Sequence, residues 1–358
     1  MDSLDSRQSV LIKAMRFPLI CLVVIAHSAG VFPTPTVEWS LDGLNVFHFV
    51  AEMISRHFCS TGTCWFFVFS GFLLFYYLKE GEFSPEWVGA KWKKRIRSLL
   101  LPYLLWNLLA VLIIYSKNYI FQSLSLEVQQ GELEMVRQGP LHWFFTGPAD
   151  FPLWFLRDLM LLTLLSPLMY LFFKRFRWLS LTLLVLLYLS PLDPRIPTMR
   201  SIFFFSIGVW LGTHKINLLS LCQRVKKPAA IIALVLLPVA TSQIGRPMHT
   251  LLLRLFFPFG MIVFMNLCDS IINHEKRRER LCALSSSVFF IYAAHEIYIL
   301  GWSKGICLRL FGTSLAGIWM RYLLVPVMVV MVCLALYRIL DKLMPRALSF
   351  ACGGRSKK

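Results

Sequence analysis

The sequence predicts an all-α polytopic membrane protein of about ten transmembrane helices, with both termini on the cytoplasmic side. Three observations predict it: the composition, a series of apolar runs, and the placing of basic residues between those runs. Of 358 residues, 57% are hydrophobic and only 16% are charged, and the mean hydropathy is +0.63. A soluble chain of this length could fill one or two cores, but it would have no use for repeated runs near the ~20 residues that cross a bilayer.

Ten apolar runs follow one another at 14–32, 59–78, 98–116, 153–173, 178–192, 199–213, 228–242, 250–272, 286–302 and 318–340. The net charge of +18 would suggest nucleic acid in a soluble protein. Here the cations alternate with the runs. Arg7 and Lys13, then segments 79–97, 174–177, 215–227, 276–280 and 342–358, carry most of them, while the intervening loops hold only scattered ones such as Arg56, Lys117, Arg137, Arg195, Arg246 and Arg309. The positive-inside rule places the basic set in the cytoplasm, and an even helix count then puts both termini there. No nucleic-acid partner is needed to explain the charge. The domain expectation is one transmembrane domain over 1–345 followed by a short basic cytoplasmic tail, 346–358. No small-residue cleavage site follows the first run, so the first helix is expected to be retained. The nine cysteines show no CxxC spacing, and neither a disulfide framework nor a metal centre is expected.

Ionisable groups inside apolar runs are costly and tend to face a cavity, so they are the informative residues. Arg16 and His27 share the first run. Eleven residues turn a helix by three turns plus about 20° and rise about 16 Å, which puts both on one face. This geometry suits a long ligand with an anionic cytoplasmic end; equally, Arg16 could reach the headgroups while His27 bonds between helices. Lys94, Arg95 and Arg97 sit in a basic stretch ahead of Pro102-Tyr103. They could clamp phosphates, mark topology or contact anionic membrane lipid. Arg157 and Asp158, near the outer end of the fourth run, could bind a polar acceptor or neutralise each other. With Arg200, Arg254 and Arg321 they suggest a polar cavity open to the outside. His295 and Glu296 stand mid-membrane in the ninth run, but adjacent helical positions point about 100° apart, which argues against a simple local dyad.

Five segments in order resemble the acyltransferase family 3 of integral membrane O-acyltransferases: Arg16 with His27 after it, Phe66-Phe67-Val68-Phe69-Ser70-Gly71-Phe72, Lys94-Arg95-Ile96-Arg97 before Pro102-Tyr103, Trp154-Phe155-Leu156, and Ile291-Tyr292-Ala293-Ala294-His295. Cys64-Trp65 departs from the family pattern, which often has Pro followed by an apolar residue there. Where the family often has Arg-x-x-Arg, this chain has Lys94-x-x-Arg97 with Arg95 between, and Arg95 and Arg97 are taken as the cation pair. The resemblance implies that cytoplasmic acyl-CoA, often acetyl-CoA, gives its acyl group to a hydroxyl of an extracytoplasmic surface polysaccharide or lipid-linked glycan, in a bacterial inner membrane. It implies His27 as the catalytic residue, Arg16, Lys94, Arg95 and Arg97 as holders of the CoA phosphates, and Arg157, Asp158, His295 and Glu296 as candidates on the acceptor side. The alternative class is a secondary transporter of an anionic or acylated solute, which also needs buried charge around a path, although no internal repeat is visible.

Overall fold

The computed structural model describes residues 3–28, 42–125, 134 and 136–354. The described residues form helices and no strand. Phe32 at the end of the first run, Trp39, and Arg355, Lys357 and Lys358 of the tail lie outside the described residues.

The chain opens with α1 (Ser3–Ser28), whose first turn carries Asp5, where a negative charge suits the helix dipole. Asp42 caps α2 (Gly43–Ala51) by accepting from the amides of Leu44 and Asn45, both at 3.0 Å. A wider-wound stretch, Glu52–Phe58, leads from it into α3 (Thr61–Phe75). The described part of the segment between the first two apolar runs, 42–58, is thus helical. Ser84 caps α4 (Pro85–Arg95) through Trp87 N at 3.2 Å, with proline at the position where its missing amide costs nothing. Then come α5 (Leu101–Ser123), α6 (Trp154–Arg175), the short α7 (Arg177–Leu189), α8 (Met199–Thr213), α9 (Leu218–Arg224), α10 (Lys226–Ser242) and α11 (Met248–Ile272). The C-terminal part holds α12 (Glu275–Leu284), α13 (Val288–Ala294), α14 (Leu300–Phe311), α15 (Leu315–Leu343) and α16 (Pro345–Ala351).

Six described segments are long and apolar enough to cross a membrane, or eight when two bent pairs each count as one span: α8 with α9, bent by 107°, and α12 with 288–311, bent by 50°. The ten expected runs exceed this number through α7 and α10. At 13 residues, α7 is about 20 Å long, short of the ~30 Å hydrocarbon core. Lipid contact is nevertheless written on the surface. Leu108, Leu112, Leu164, Leu168, Leu234, Leu323 and Val327 are all exposed on helices, where water would penalise them and acyl chains would not.

Inside, Phe67, Phe72 and Phe75 of α3 meet Phe205 of α8 in the main core. The two helices pack backbone to backbone. A Cβ on Gly71 would overlap the carbonyl oxygen of Phe205, and one on Gly208 that of Val68, so only glycine permits this approach. This gives Gly71 of the aromatic segment 66–72 its physical reason. The described part of the short basic tail, 346–354, folds back onto the helices. Leu348 and Cys352 are buried, and the Trp106 indole donates to the Ala351 carbonyl at 3.0 Å.

Candidate active site

A cavity of about 850 Å³, in the upper part of the usual range for ligand pockets, runs between α1, α3, α4, α6 and α13. Its mouth is cationic. Lys13 and Arg16 stand one turn apart on α1, and Lys91, Lys94 and Arg95 occupy one face of α4 at the i, i+3, i+4 spacing. Gly353 and Gly354 close the mouth from the folded-back C-terminal segment. Arg97, expected with Arg95 as the cation pair, is exposed in the wider turn after α4 and does not line the cavity. Helical geometry explains this, because Arg97 is two positions from Arg95 and points to another side. The deep walls are apolar and aromatic: Ile20, Val23, Phe66, Phe155 and Tyr292.

His27 sits one turn beyond Val23, in the last described turn of α1. Its Nδ1 lies 3.2 Å from Glu296 Oε2. The His295 ring packs edge-on at 5.1 Å between centroids, and its Nε2 is 3.8 Å from the same carboxylate oxygen. Phe151 packs against His27 from the other side, with ring centroids 5.8 Å apart. Lys304 donates to the His27 carbonyl at 3.2 Å, satisfying one of the acceptors that a helix C-terminus leaves open, and its charge acts on Glu296. His295 is wholly buried. Its Nδ1 faces the carbonyls of Ile291 and Tyr292 at 3.0 and 2.8 Å, so Nδ1 carries the proton and Nε2 is a bare acceptor.

His295 and Glu296 are adjacent helical positions, yet both reach His27: the His295 ring packs on it directly, and the longer Glu296 side chain carries its carboxylate to Nδ1. Ile297 (ψ 86°) and Tyr298 (φ 58°) leave helical geometry directly after Glu296. The donor atoms of His27, His295 and Glu296 lie within 4.8 Å of one another. Such a set is of the kind that can hold a metal ion, and Nδ1 of His27 and Oε2 of Glu296 are also at hydrogen-bond distance. A carboxylate accepting Nδ1–H fixes the imidazole tautomer and leaves Nε2 of His27 as a base.

The family pattern described as Acyltransferase domain matches residues 10–338. The chain belongs to this acyltransferase family. It is also similar to the Succinoglycan biosynthesis protein ExoH of Rhizobium meliloti (strain 1021), with 27% identity over 376 residues that cover 99% of this chain and 94% of the relative. No solved structure matches. The protein is therefore an integral membrane acyltransferase, and the match spans both the cationic mouth and the histidine centre.

Arg157 and Asp158 of the acyltransferase, expected on the acceptor side, do not line the cavity, and their hydrogen-bonding capacity is occupied. Asp158 accepts from Thr198 N at 2.9 Å and Ser201 Oγ at 2.7 Å, fixing the start of α8, and its other oxygen takes Arg157 at 3.1 and 3.2 Å. Arg157 also donates to the carbonyls of Thr146 and Phe145, at 2.9 and 3.3 Å. The pair joins α6, α8 and the preceding loop. Arg254 likewise closes the C-terminus of α7, donating to the carbonyls of Tyr188, Ser190 and Leu192 and to Asp193. Arg200 lies over the Phe257 ring at 4.7 Å. Arg157 and Arg254 thus brace the fold.

Two residues near the centre carried no separate sequence signal. Lys304 falls just past the ninth run, where a lone lysine reads as a boundary residue. Asp150 lies in a polar-looking outer segment, yet it is 2% exposed, and neither carboxylate oxygen has a hydrogen-bond partner among the described residues. Burial, and secondarily the Glu296 carboxylate, push its carboxyl well above the ordinary aspartate range.

Proposed function

We propose that this acyltransferase moves an acyl group, acetyl in the simplest case, from cytoplasmic acyl-CoA to a hydroxyl of an extracytoplasmic polysaccharide or lipid-linked glycan in a bacterial inner membrane. Ten spans with cytoplasmic termini complete the topology, α7 and α10 adding to the eight longer elements. The observation that carries the reading is one cavity with a cluster of five cations at its mouth and the His27–Glu296 pair one turn beyond its deep end. Phosphates suit the mouth, and an extended thioester arm suits the apolar walls. The full-length similarity to a succinoglycan biosynthesis protein supports a polysaccharide acceptor.

In this mechanism Nε2 of His27 takes the proton of the acceptor hydroxyl as its oxygen attacks the thioester carbonyl. Glu296 holds Nδ1–H and stabilises the imidazolium that forms. Collapse of the tetrahedral intermediate breaks the carbon–sulfur bond and makes the ester. His27 then returns its proton to the departing CoA thiolate. The test is free-CoA release by the purified protein in lipid discs, given acetyl-CoA and non-acylated polysaccharide from cells lacking it. His27→Ala should abolish release while the protein still inserts. Wild-type turnover by that variant would remove the base assignment, and no release by the wild type would favour a transporter.

A further inference from the structure

We infer that Asp150 is the acceptor-binding residue of this site: its buried carboxyl group takes a sugar hydroxyl and holds it at His27. The inference rests on the proposed function and supplies the half of the site that the donor cavity leaves out.

Asp150 is held in a fixed place. The amide of the preceding Ala149 donates to Asn107 Oδ1 at 2.9 Å, and Asn107 is itself buried and anchored to the Tyr103 carbonyl at 3.0 Å. The Asp150 carbonyl accepts from Leu153 N at 3.0 Å, and the Pro152 carbonyl accepts from the Tyr292 hydroxyl at 2.6 Å. Ala149 belongs to the apolar cluster of Ala110, Val111 and Ile114, against which Ile297 and Tyr298, the two residues that follow Glu296, also pack, and Phe151 packs against His27. Asp150 is therefore next in the chain to the residue that packs on His27 and within the field of Glu296, on a segment anchored from both sides.

A carboxyl buried without any partner is rare, because its desolvation is not compensated within the fold. At this place the missing partner is a ligand. Burial first, and the neighbouring Glu296 carboxylate second, favour the protonated form of the Asp150 carboxyl, the arrangement in which two acids take different roles. A neutral carboxyl both donates and accepts, matching the donor and acceptor of a hydroxyl. The adjacent Phe151 ring is 61% exposed and offers an apolar face to the C–H side of a sugar ring. A polar anchor beside an aromatic surface selects a polyol ring over an alkyl alcohol or an amine.

The test is binding of non-acylated polysaccharide, isolated from cells lacking this protein, to the full-length protein without donor, so that it reads the acceptor site whatever the chemistry. Asp150→Ala should weaken binding about tenfold, the loss of one or two neutral hydrogen bonds, and should leave the KM for acetyl-CoA unchanged. Asp150→Asn, isosteric and neutral, should stay within threefold of wild type, and it carries the test if the alanine variant does not fold. Unchanged binding by Asp150→Ala, no polysaccharide binding by the wild type, or a tenfold loss in Asp150→Asn would each overturn the inference. Absence of CoA release by a wild type that binds polysaccharide would instead remove the proposed reaction.

Discussion

Glu296→Gln separates a proton-relay centre from a merely packed histidine. The amide keeps the volume of the carboxylate but removes its charge, and its NH2 group can donate to His27 Nδ1 across the 3.2 Å contact. That donation moves the imidazole proton to Nε2, the atom that must accept from the hydroxyl, and it leaves the imidazolium without a counter-charge. General-base catalysis is worth about 10²–10⁴ in rate, so kcat should fall by that factor, or about 3–5 kcal/mol in activation free energy. The donor KM should stay within about twofold, because Arg16 lies about 16 Å along α1 from His27 and the cations of α4 line the same distant mouth. Initial rates of CoA release over a range of acetyl-CoA concentrations measure both constants. A kcat within threefold of wild type would sink the relay, and a donor KM rising in step with the fall in kcat would place Glu296 in donor binding.

The remaining predictions concern the two ends of the site. Arg16→Ala and Arg95→Ala should each raise the acetyl-CoA KM about tenfold with a smaller change in kcat, while Arg97→Ala should stay within twofold; the reverse order would restore Arg97 to the donor clamp. Asp150→Asn should also change the pH dependence of stability. The folded carboxyl holds its proton above the pH at which the unfolded chain releases it, near 3.8, so the folded state binds more protons and wild-type stability declines as pH rises through that window. The asparagine variant lacks this decline, and its gain in Tm over wild type should be small near pH 4 and widen toward neutrality. A gap that narrows with rising pH would mean that Asp150 is ionised in the fold.

The part of this architecture legible in the sequence is the part that a straight helix determines. Arg16 and His27 obey the arithmetic of one unbroken α1, and Lys94 and Arg95 belong to a basic helix whose start is marked by Ser84 and Pro85. Arg97 does not line the cavity with Arg95, because it stands two positions on, at the start of a wider turn, and points to another side. Of run 178–192, α7 covers the part up to Leu189, where Arg254 takes the open carbonyls from 66 to 62 residues away in sequence, a contact that no local pattern announces. Asp150 was invisible for a different reason. Its burial depends on Asn107 and Tyr292 closing over a loop, and no local pattern encodes that.

The meeting of Glu296 with His27 spans 269 residues, and directly after it comes a break that the sequence does not announce. His295–Ile299 contains neither glycine nor proline, yet Tyr298 sits at φ 58°, a conformation costing on the order of 1 kcal/mol for such a side chain. Contacts on either side hold it there: the Trp302 ring stacks on Tyr298 at 6.0 Å, and the Lys117 ammonium lies over the same ring at 4.6 Å. Irregular backbone at membrane depth is tolerated only where protein or a cavity covers it. The break lies after both His295 and Glu296, so it does not set the angle between them, which stays near the 100° of adjacent helical positions. What brings both to one ring is reach. The His295 ring packs on His27 at 5.1 Å between centroids, while the longer Glu296 side chain carries its carboxylate to Nδ1 at 3.2 Å, leaving Nε2 of His27 free for chemistry.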